Sequence, residues 1–310
     1  MRSKALVSAA WVASKLDAVR VIDSSWYLPA MKRDGHAEYL QKRIPGAFFF
    51  DVNATDDTSE LPHMVPSPEY FAASMDRIGV SPDVHVVCYD GAGLFSAARL
   101  WWMLRAFGHE RASVLDGGLP AWERGGHTVD TGPPPAAFTA TGGFSAALQP
   151  GTVCSLARVK EVVAASQSAE AQSAEATIVD ARSQARFEGT VAEARKNCRS
   201  GHAPGSRNLP FTALLKEGGE MVSADEIVAA FEKAGIAAPL SAPLIGSCGS
   251  GVTAAVLALA LEHAGRSQLM ECYDGSWAEY GADPSLPLAT GPAAPAAAKK
   301  RPREGGGASS

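Results

Sequence analysis

The stretch Pro243-Leu244-Ile245-Gly246-Ser247-Cys248-Gly249-Ser250-Gly251-Val252-Thr253-Ala254-Ala255-Val256-Leu257 decides the fold. Its first five residues form a short apolar run of the kind that makes a buried strand. Gly249 and Gly251 follow the cysteine closely, and glycine alone takes positive φ without strain, so the backbone can curl there. A helical pattern begins around Thr253. Strand, curled loop and helix in succession are one turn of a parallel α/β sheet. The same arrangement occurs upstream. The run Val84 to Tyr89 leads into Asp90-Gly91, and Phe95 to Phe107 is helical in pattern.

Working outward, more landmarks pair up. Ile22-Asp23 matches Ile178-Val179-Asp180, and Ile44-Pro45-Gly46-Ala47 matches Ala203-Pro204-Gly205-Ser206. Leu115-Asp116-Gly117-Gly118 matches Tyr273-Asp274-Gly275-Ser276, each followed by a tryptophan, Trp122 or Trp277. All keep nearly one offset, about 158 residues, which marks two tandem copies of one unit. The expected fold is α/β, with two tandem domains, each a mainly parallel sheet flanked by helices. Their expected extents are residues 4–132 and 152–288. Between them, 133–151 has a linker's Gly, Pro, Ala and Thr content. The doubled Gln-Ser-Ala-Glu-Ala of residues 167–176 is expected to be a surface extension. Residues 289–310, low in complexity around Lys299-Lys300-Arg301, are expected to be a disordered tail. The segment Met1 to Asp17 fits an amphipathic helix, with Leu6, Val7, Ala10, Trp11 and Leu16 on one face.

The 310 residues carry a net charge of −5, with 46% apolar and 20% charged residues. That balance suits a soluble globular chain and offers no global basic field to nucleic acid or anionic membrane. No apolar run approaches the roughly 18 residues that a membrane span needs. The five cysteines form no C-x-x-C pair and no zinc spacing. With an odd number of thiols, a reducing compartment is expected, and no metal. Cytoplasmic residence follows, a mitochondrial leader being the weaker alternative. Nothing in the sequence asks for a second copy, so a monomer is expected.

In a parallel sheet, ligands bind beyond the carboxyl ends of the strands, where Cys248 stands. A curled Gly-x-Gly loop aims several N–H groups at one point, and a helix N-terminus adds positive potential there. A thiol at that point is favoured as the nucleophilic thiolate. The plain alternative is a buried structural cysteine. A cysteine-phosphatase cradle shares the strand–loop–helix outline but needs Cys-x5-Arg, and Ala254 occupies the arginine position.

The loop Cys-Gly-Ser-Gly-Val-Thr-Ala at 248–254 resembles the active-site loop of the 3-mercaptopyruvate sulfurtransferases, in the rhodanese superfamily. Residues 99–109 (RLWWMLRAFGH), 115–118 (LDGG), 202–205 (HAPG) and 273–277 (YDGSW) resemble family signatures as well, so the likeness spans about residues 4–288. It implies two rhodanese-like domains with only the second catalytic. Asp90, at the cysteine position of the first copy, agrees with that. It implies that Cys248 takes sulfur from 3-mercaptopyruvate as a persulfide and hands it to a thiol, cyanide or thioredoxin-like acceptor, without an organic cofactor. Arg186 and Arg195 match the family's substrate-binding arginines. The loop residues Gly249, Gly251, Val252 and Thr253 complete the substrate site. Ser250 and His63 match a proton relay. Two departures stand out. Asn53 occupies the place where relatives have an acidic partner for the histidine, which leaves Asp56 or Asp57 to fill that role. Glu188 replaces a residue that is often arginine. Gly249 and Ser250 stand where thiosulfate-preferring relatives carry Arg and Lys, so the monoanionic donor is favoured. Thiosulfate sulfur transfer, or a non-catalytic sulfur-carrier or partner-binding module, are the competing readings. Asp180 and His202 are expected to organise turns, and Trp101 and Trp102 to pack at the domain interface.

Overall fold

The computed structural model describes residues 2–56, 58–137, 143–168, 176–236, 240 and 242–294. The first domain runs β1 (Leu6–Val7), α1 (Ala9–Ala13), β2 (Val19–Asp23), α2 (Gly35–Gln41), β3 (Phe48–Phe49), α3 (Pro68–Ile78), β4 (His85–Tyr89), α4 (Ala97–Ala106), β5 (Ala112–Leu115) and α5 (Gly118–Arg124). The second runs β6 (Val153–Cys154), α6 (Leu156–Gln167), β7 (Thr177–Asp180), α7 (Gln184–Glu188), β8 (Arg207–Asn208), α8 (Ala224–Lys233), β9 (Leu244–Ser247), α9 (Ala254–His263), β10 (Glu271–Tyr273) and α10 (Ser276–Tyr280). The two sheets have one topology, β1-β5-β4-β2-β3 and β6-β10-β9-β7-β8, and every strand pair is parallel. The duplication read from the landmarks is therefore a duplication of the whole sheet.

Local sequence sets the helix ends. Ser67 caps α3 by accepting from the Tyr70 amide, Pro68 opens it, and Gly79 closes it at φ 75°. Ser223 and Glu226 form a reciprocal capping box on α8. The amino-terminal segment departs from the expected helix. Leu6–Val7 is an edge strand in register with Val114 and Leu115, and the helix starts only after the Ser8 cap. An apolar pair that includes the β-branched Val7 gains more from pairing at an open sheet edge than from a short solvent-facing helix.

The helices after the two loops, α4 and α9, lie against each other at the centre of the molecule. Residues Ala97–Ala106 of α4 and Ala254–Leu261 of α9 are all buried. A helix that is buried on every side must be packed on both its own sheet and a partner. Trp101 and Trp102 are fully buried here, and Trp102 Nε1 donates to Met270 O of the second domain at 3.3 Å. Arg105 pairs with Glu262 across the same interface at 3.0 Å. The start of α4 reaches the Cys248 loop, where Arg99 Nη1 donates to Gly251 O at 3.4 Å.

Two stretches outside the expected domains make defined contacts. The stretch expected as a linker is laid along the first domain: Phe144 is buried and its amide donates to Asp76 Oδ1 at 3.0 Å, while Gln149 N donates to Ala106 O at 2.7 Å. The start of the expected disordered tail is docked on the second domain. His202 and Ala289 bridge each other through both backbone bonds, and Gly291 N donates to Glu188 O at 2.8 Å. The basic cluster at 299–303 and most of the Gln-Ser-Ala-Glu-Ala repeat lie outside the described residues. No helix among the described residues is long and apolar enough to cross a membrane.

Candidate active site

Cys248 follows β9, a central strand, and is 2% exposed. Its carbonyl accepts from Trp277 N at 3.0 Å, and the Gly249 carbonyl accepts from Ala278 N at 2.9 Å, so α10 grips the loop from one side. Ser276 Oγ accepts from the amides of Cys248 and Gly251, each at 3.1 Å, and donates to Tyr273 O at 2.8 Å. Gly251 has φ +80°, and a Cβ there would crowd Asp274 O and Arg99 Nη1. Among the described residues, the amides of Gly249, Ser250, Val252 and Thr253 have no acceptor. Such a ring of amides before a helix is an anion cradle.

The first copy shows what the cradle accepts. Asp90 is fully buried. Its Oδ1 accepts from Ala92 N and Gly93 N at 2.9 and 3.1 Å, and its Oδ2 from Phe95 N and Ala97 N, both at 2.8 Å. The same loop, carrying a carboxylate instead of a thiol, is filled by its own anion.

The predicted relay residues meet. His63 is buried with φ 62°, and its Nδ1 lies 2.8 Å from Ser250 Oγ. Trp26 stands edge-on to the imidazole at 4.5 Å. Burial, with the charges of Arg99 and Arg195, pushes the His63 pKa down to about 3, so the ring is neutral at ordinary pH. Among the described residues the expected acidic partner is not found beside His63. Asn53 is exposed and its side chain turns to Asp51 Oδ1 at 2.8 Å, while Asp56 caps Ser67. Asp57 lies outside the described residues.

Arg186, on α7, spreads over Gly249: a Cβ on that glycine would stand 3.3 Å from Nη2. Its other side is held by Glu193, through Nε at 3.2 Å and through Nη2. Glu193 also takes Arg182 Nη1 at 2.7 Å, and Arg182 in turn grips Asp180 at 2.6 Å. The ladder of alternating charge leaves Arg186 Nη1 without a partner among the described residues. Arg195 is half-buried, and its charge weighs on His63. Val252 is buried, and Thr253 stands at the N-cap of α9. His202 and Asp180 serve turns: His202 Nδ1 meets Phe187 O at 2.8 Å, and Asp180 holds the Arg182 amide. Burial pushes the Cys88 and Cys272 thiols far up, Cys154 to about 12, and Cys198 upward as well.

A model of the rhodanese-like domain matches residues 8–124 and again residues 160–283. The chain belongs to the rhodanese family. It is 43% identical over 286 residues to the 3-mercaptopyruvate sulfurtransferase of Escherichia coli K12, covering 91% of this chain and 96% of that one. It is 38% identical over 307 residues to the mitochondrial thiosulfate/3-mercaptopyruvate sulfurtransferase 1 of Arabidopsis thaliana, covering 92% and 78%. The crystal structure of the Escherichia coli 3-mercaptopyruvate sulfurtransferase SseA superposes with a TM-score of 0.74 at 40% identity, covering 89% of this chain and all of that one. The two matches fall one on each of the two sheets.

Sequence reasoning passed over four residues of this rhodanese site. Ser276 was visible as the Ser-for-Gly exchange between the two Asp-Gly motifs. Arg99 was visible as a charge inside an apolar helix: it is fully buried, with Nη2 2.6 Å from Asp274 Oδ1 and 2.7 Å from His63 O. Asp274 also accepts from Val65 N at 2.7 Å, so it binds the segment that carries His63. Glu193 gave no signal, because its role depends on a loop path that spacing does not reveal.

Proposed function

We propose that this rhodanese is a 3-mercaptopyruvate sulfurtransferase working through a persulfide on Cys248. The amide cradle carries the reading: its twin around Asp90 is filled by a carboxylate, so the loop suits an anion one atom beyond the cysteine. The Cys248 thiolate attacks the donor's sulfur and the carbon–sulfur bond breaks, leaving the pyruvate enolate. The proton of the donor thiol ends on the enolate carbon, passed through Ser250 with neutral His63 beside it. Arg186, through its unpaired Nη1, and Arg195 hold the carboxylate and keto oxygen. Gly249, Gly251, Val252 and Thr253 surround the sulfur. The persulfide then passes to a thiol, cyanide or a thioredoxin-like reductant, a ping-pong cycle of covalent catalysis. A small neutral residue at 249 keeps room beneath the Arg186 guanidinium and favours a monoanion over thiosulfate. Monomeric, cytoplasmic action is part of this reading, and the five free cysteines fit a reducing compartment.

The test is mass spectrometry after exposure to each donor, with kcat/KM measured for both. The expected result is one added sulfur, about +32 Da, on wild type and none on Cys248→Ser, which is folded and inactive. A higher kcat/KM with thiosulfate would replace the donor, and a sulfur adduct on the Ser variant would replace the nucleophile.

A further inference from the structure

The two copies hold the same loop in different ways. In the first, the Asp90 carboxylate inside the loop ties down four amides. In the second, the amides of Gly249, Ser250, Val252 and Thr253 have no acceptor among the described residues, and no side chain takes the place of that carboxylate. Amides aimed inward without partners favour collapse or rearrangement of the loop. The second loop therefore needs a fastening from outside.

Ser276 supplies one. Its Oγ accepts from Cys248 N and Gly251 N, two points that bracket the curl, and its own proton goes to Tyr273 O. The hydroxyl is fully buried, so no water competes for these bonds. In the first copy, the amide equivalent to Gly251 N is Gly93 N, and it turns inward to Asp90. The residue equivalent to Ser276 is Gly118. The two backbones match: φ is 48° at Ser276 and 53° at Gly118. This left-handed conformation is natural for glycine and strained for serine. A Cβ on Gly118 would run into the carbonyls of Asp90 and Gly93, so the first loop is closed where the second is open. Strain of this kind persists where the surroundings impose it and collects at functional sites.

We propose that Ser276 is a positioning residue that braces the Cys248 loop open from behind, taking over the fastening that Asp90 gives the first copy from within. It leaves the amides of Gly249, Ser250, Val252 and Thr253 aimed at the sulfur as it arrives. The proposal rests on Cys248 as the sulfur-carrying nucleophile.

Ser276→Gly is the decisive variant, because the first copy already folds with glycine at this place and φ. Single-turnover formation of the Cys248 persulfide is measured over a range of 3-mercaptopyruvate concentrations, beside the melting temperature. The expected result is a maximal rate lowered about 10- to 100-fold with half-saturation changed less than about twofold. The melting temperature falls only slightly, since the relieved strain offsets part of the cost of the lost hydrogen bonds. Ser276→Ala, which keeps the strain and loses the hydroxyl, loses rate to the same extent. A wild-type rate in Ser276→Gly overturns the proposal. So does a loss confined to half-saturation, which makes Ser276 a binding group, or a melting temperature well below wild type, which makes the hydroxyl a fold element. If wild type itself gains no sulfur on Cys248, the nucleophile assignment has failed instead.

Discussion

Each domain pushes a segment into the other's loop, and the two crossings differ. At the second loop, the segment around His63 enters, and Val65 N donates to Asp274 Oδ2 at 2.7 Å. At the first loop, the segment around Gly219 enters, and Met221 N donates to Asp116 Oδ1 at 2.8 Å. Asp116 and Asp274 are counterparts, so one frame serves both. What sits at the tip is not the same. His63 (φ 62°) puts an imidazole against Ser250, whereas Gly219 (φ 85°) packs directly on Gly93: a Cβ on Gly93 would lie 3.1 Å from its Cα. Arg99 spans the first of these crossings, joining Asp274 to the His63 carbonyl. Its counterpart on α9 is Leu257, fully buried and apolar. Duplication supplied a symmetric frame. Function required polar groups on one side, and on the other side glycine and leucine close the same space.

The largest effect should come from cutting the polar crossing. Arg99→Met leaves Asp274 buried at 6% side-chain exposure without its cation, a change that costs about 3–5 kcal/mol. Asp116→Asn at the other crossing alters a bond to one backbone amide and should cost about 1 kcal/mol. Urea denaturation of both variants checks this. Equal losses would mean that the frame, and not the Arg99 bridge, carries the interface.

Filling against openness gives the next test. Asp90→Ala removes the acceptor of four amides, three of them buried, and should destabilise by about 2 kcal/mol. Turnover should stay within about twofold of wild type, because the proposed chemistry lies at Cys248 and uses no group of this loop. Loss of turnover at full stability would show that the first loop takes part in the chemistry.

The sequence displayed the duplication, the strand–loop–helix turn and the place of Cys248, because each rests on local pattern repeated at one offset. It displayed the pairing of His63 with Ser250 only through resemblance, since 187 residues separate them and no periodicity links the two. The Glu193 ladder was out of reach: Glu193 meets Arg182 and Arg186 across a loop with no regular spacing. Leu6–Val7 misled because a helical face and an edge strand share the same two apolar residues, and only the sheet edge decides between them. The docking of Phe144 and Ala289 was hidden by composition, since Gly, Pro and Ala describe flexible and docked segments alike.

A pH-dependent effect sharpens the comparison at the tip of the polar crossing. His63 has its pKa pushed down to about 3 by burial and by Arg99 and Arg195, while an unfolded histidine titrates near 6.5. Between those values the unfolded chain binds a proton that the folded chain refuses. Stability is therefore intact above about pH 6.5 and is lost as pH falls toward 3, by up to about 1.4 kcal/mol per pH unit from this group. His109, pushed down to about 4 by burial, adds a similar slope over a shorter range. His63→Asn keeps a side chain that tolerates positive φ and removes the titration. Its stability should fall less steeply than wild type between pH 6.5 and 4.5, measured by urea denaturation at each pH. Since Gly219 carries no titratable group, the whole difference belongs to the polar crossing. Parallel pH curves for wild type and His63→Asn would mean that His63 is hydrated and chargeable in the folded protein. The neutral ring beside Ser250 would then have to be given up.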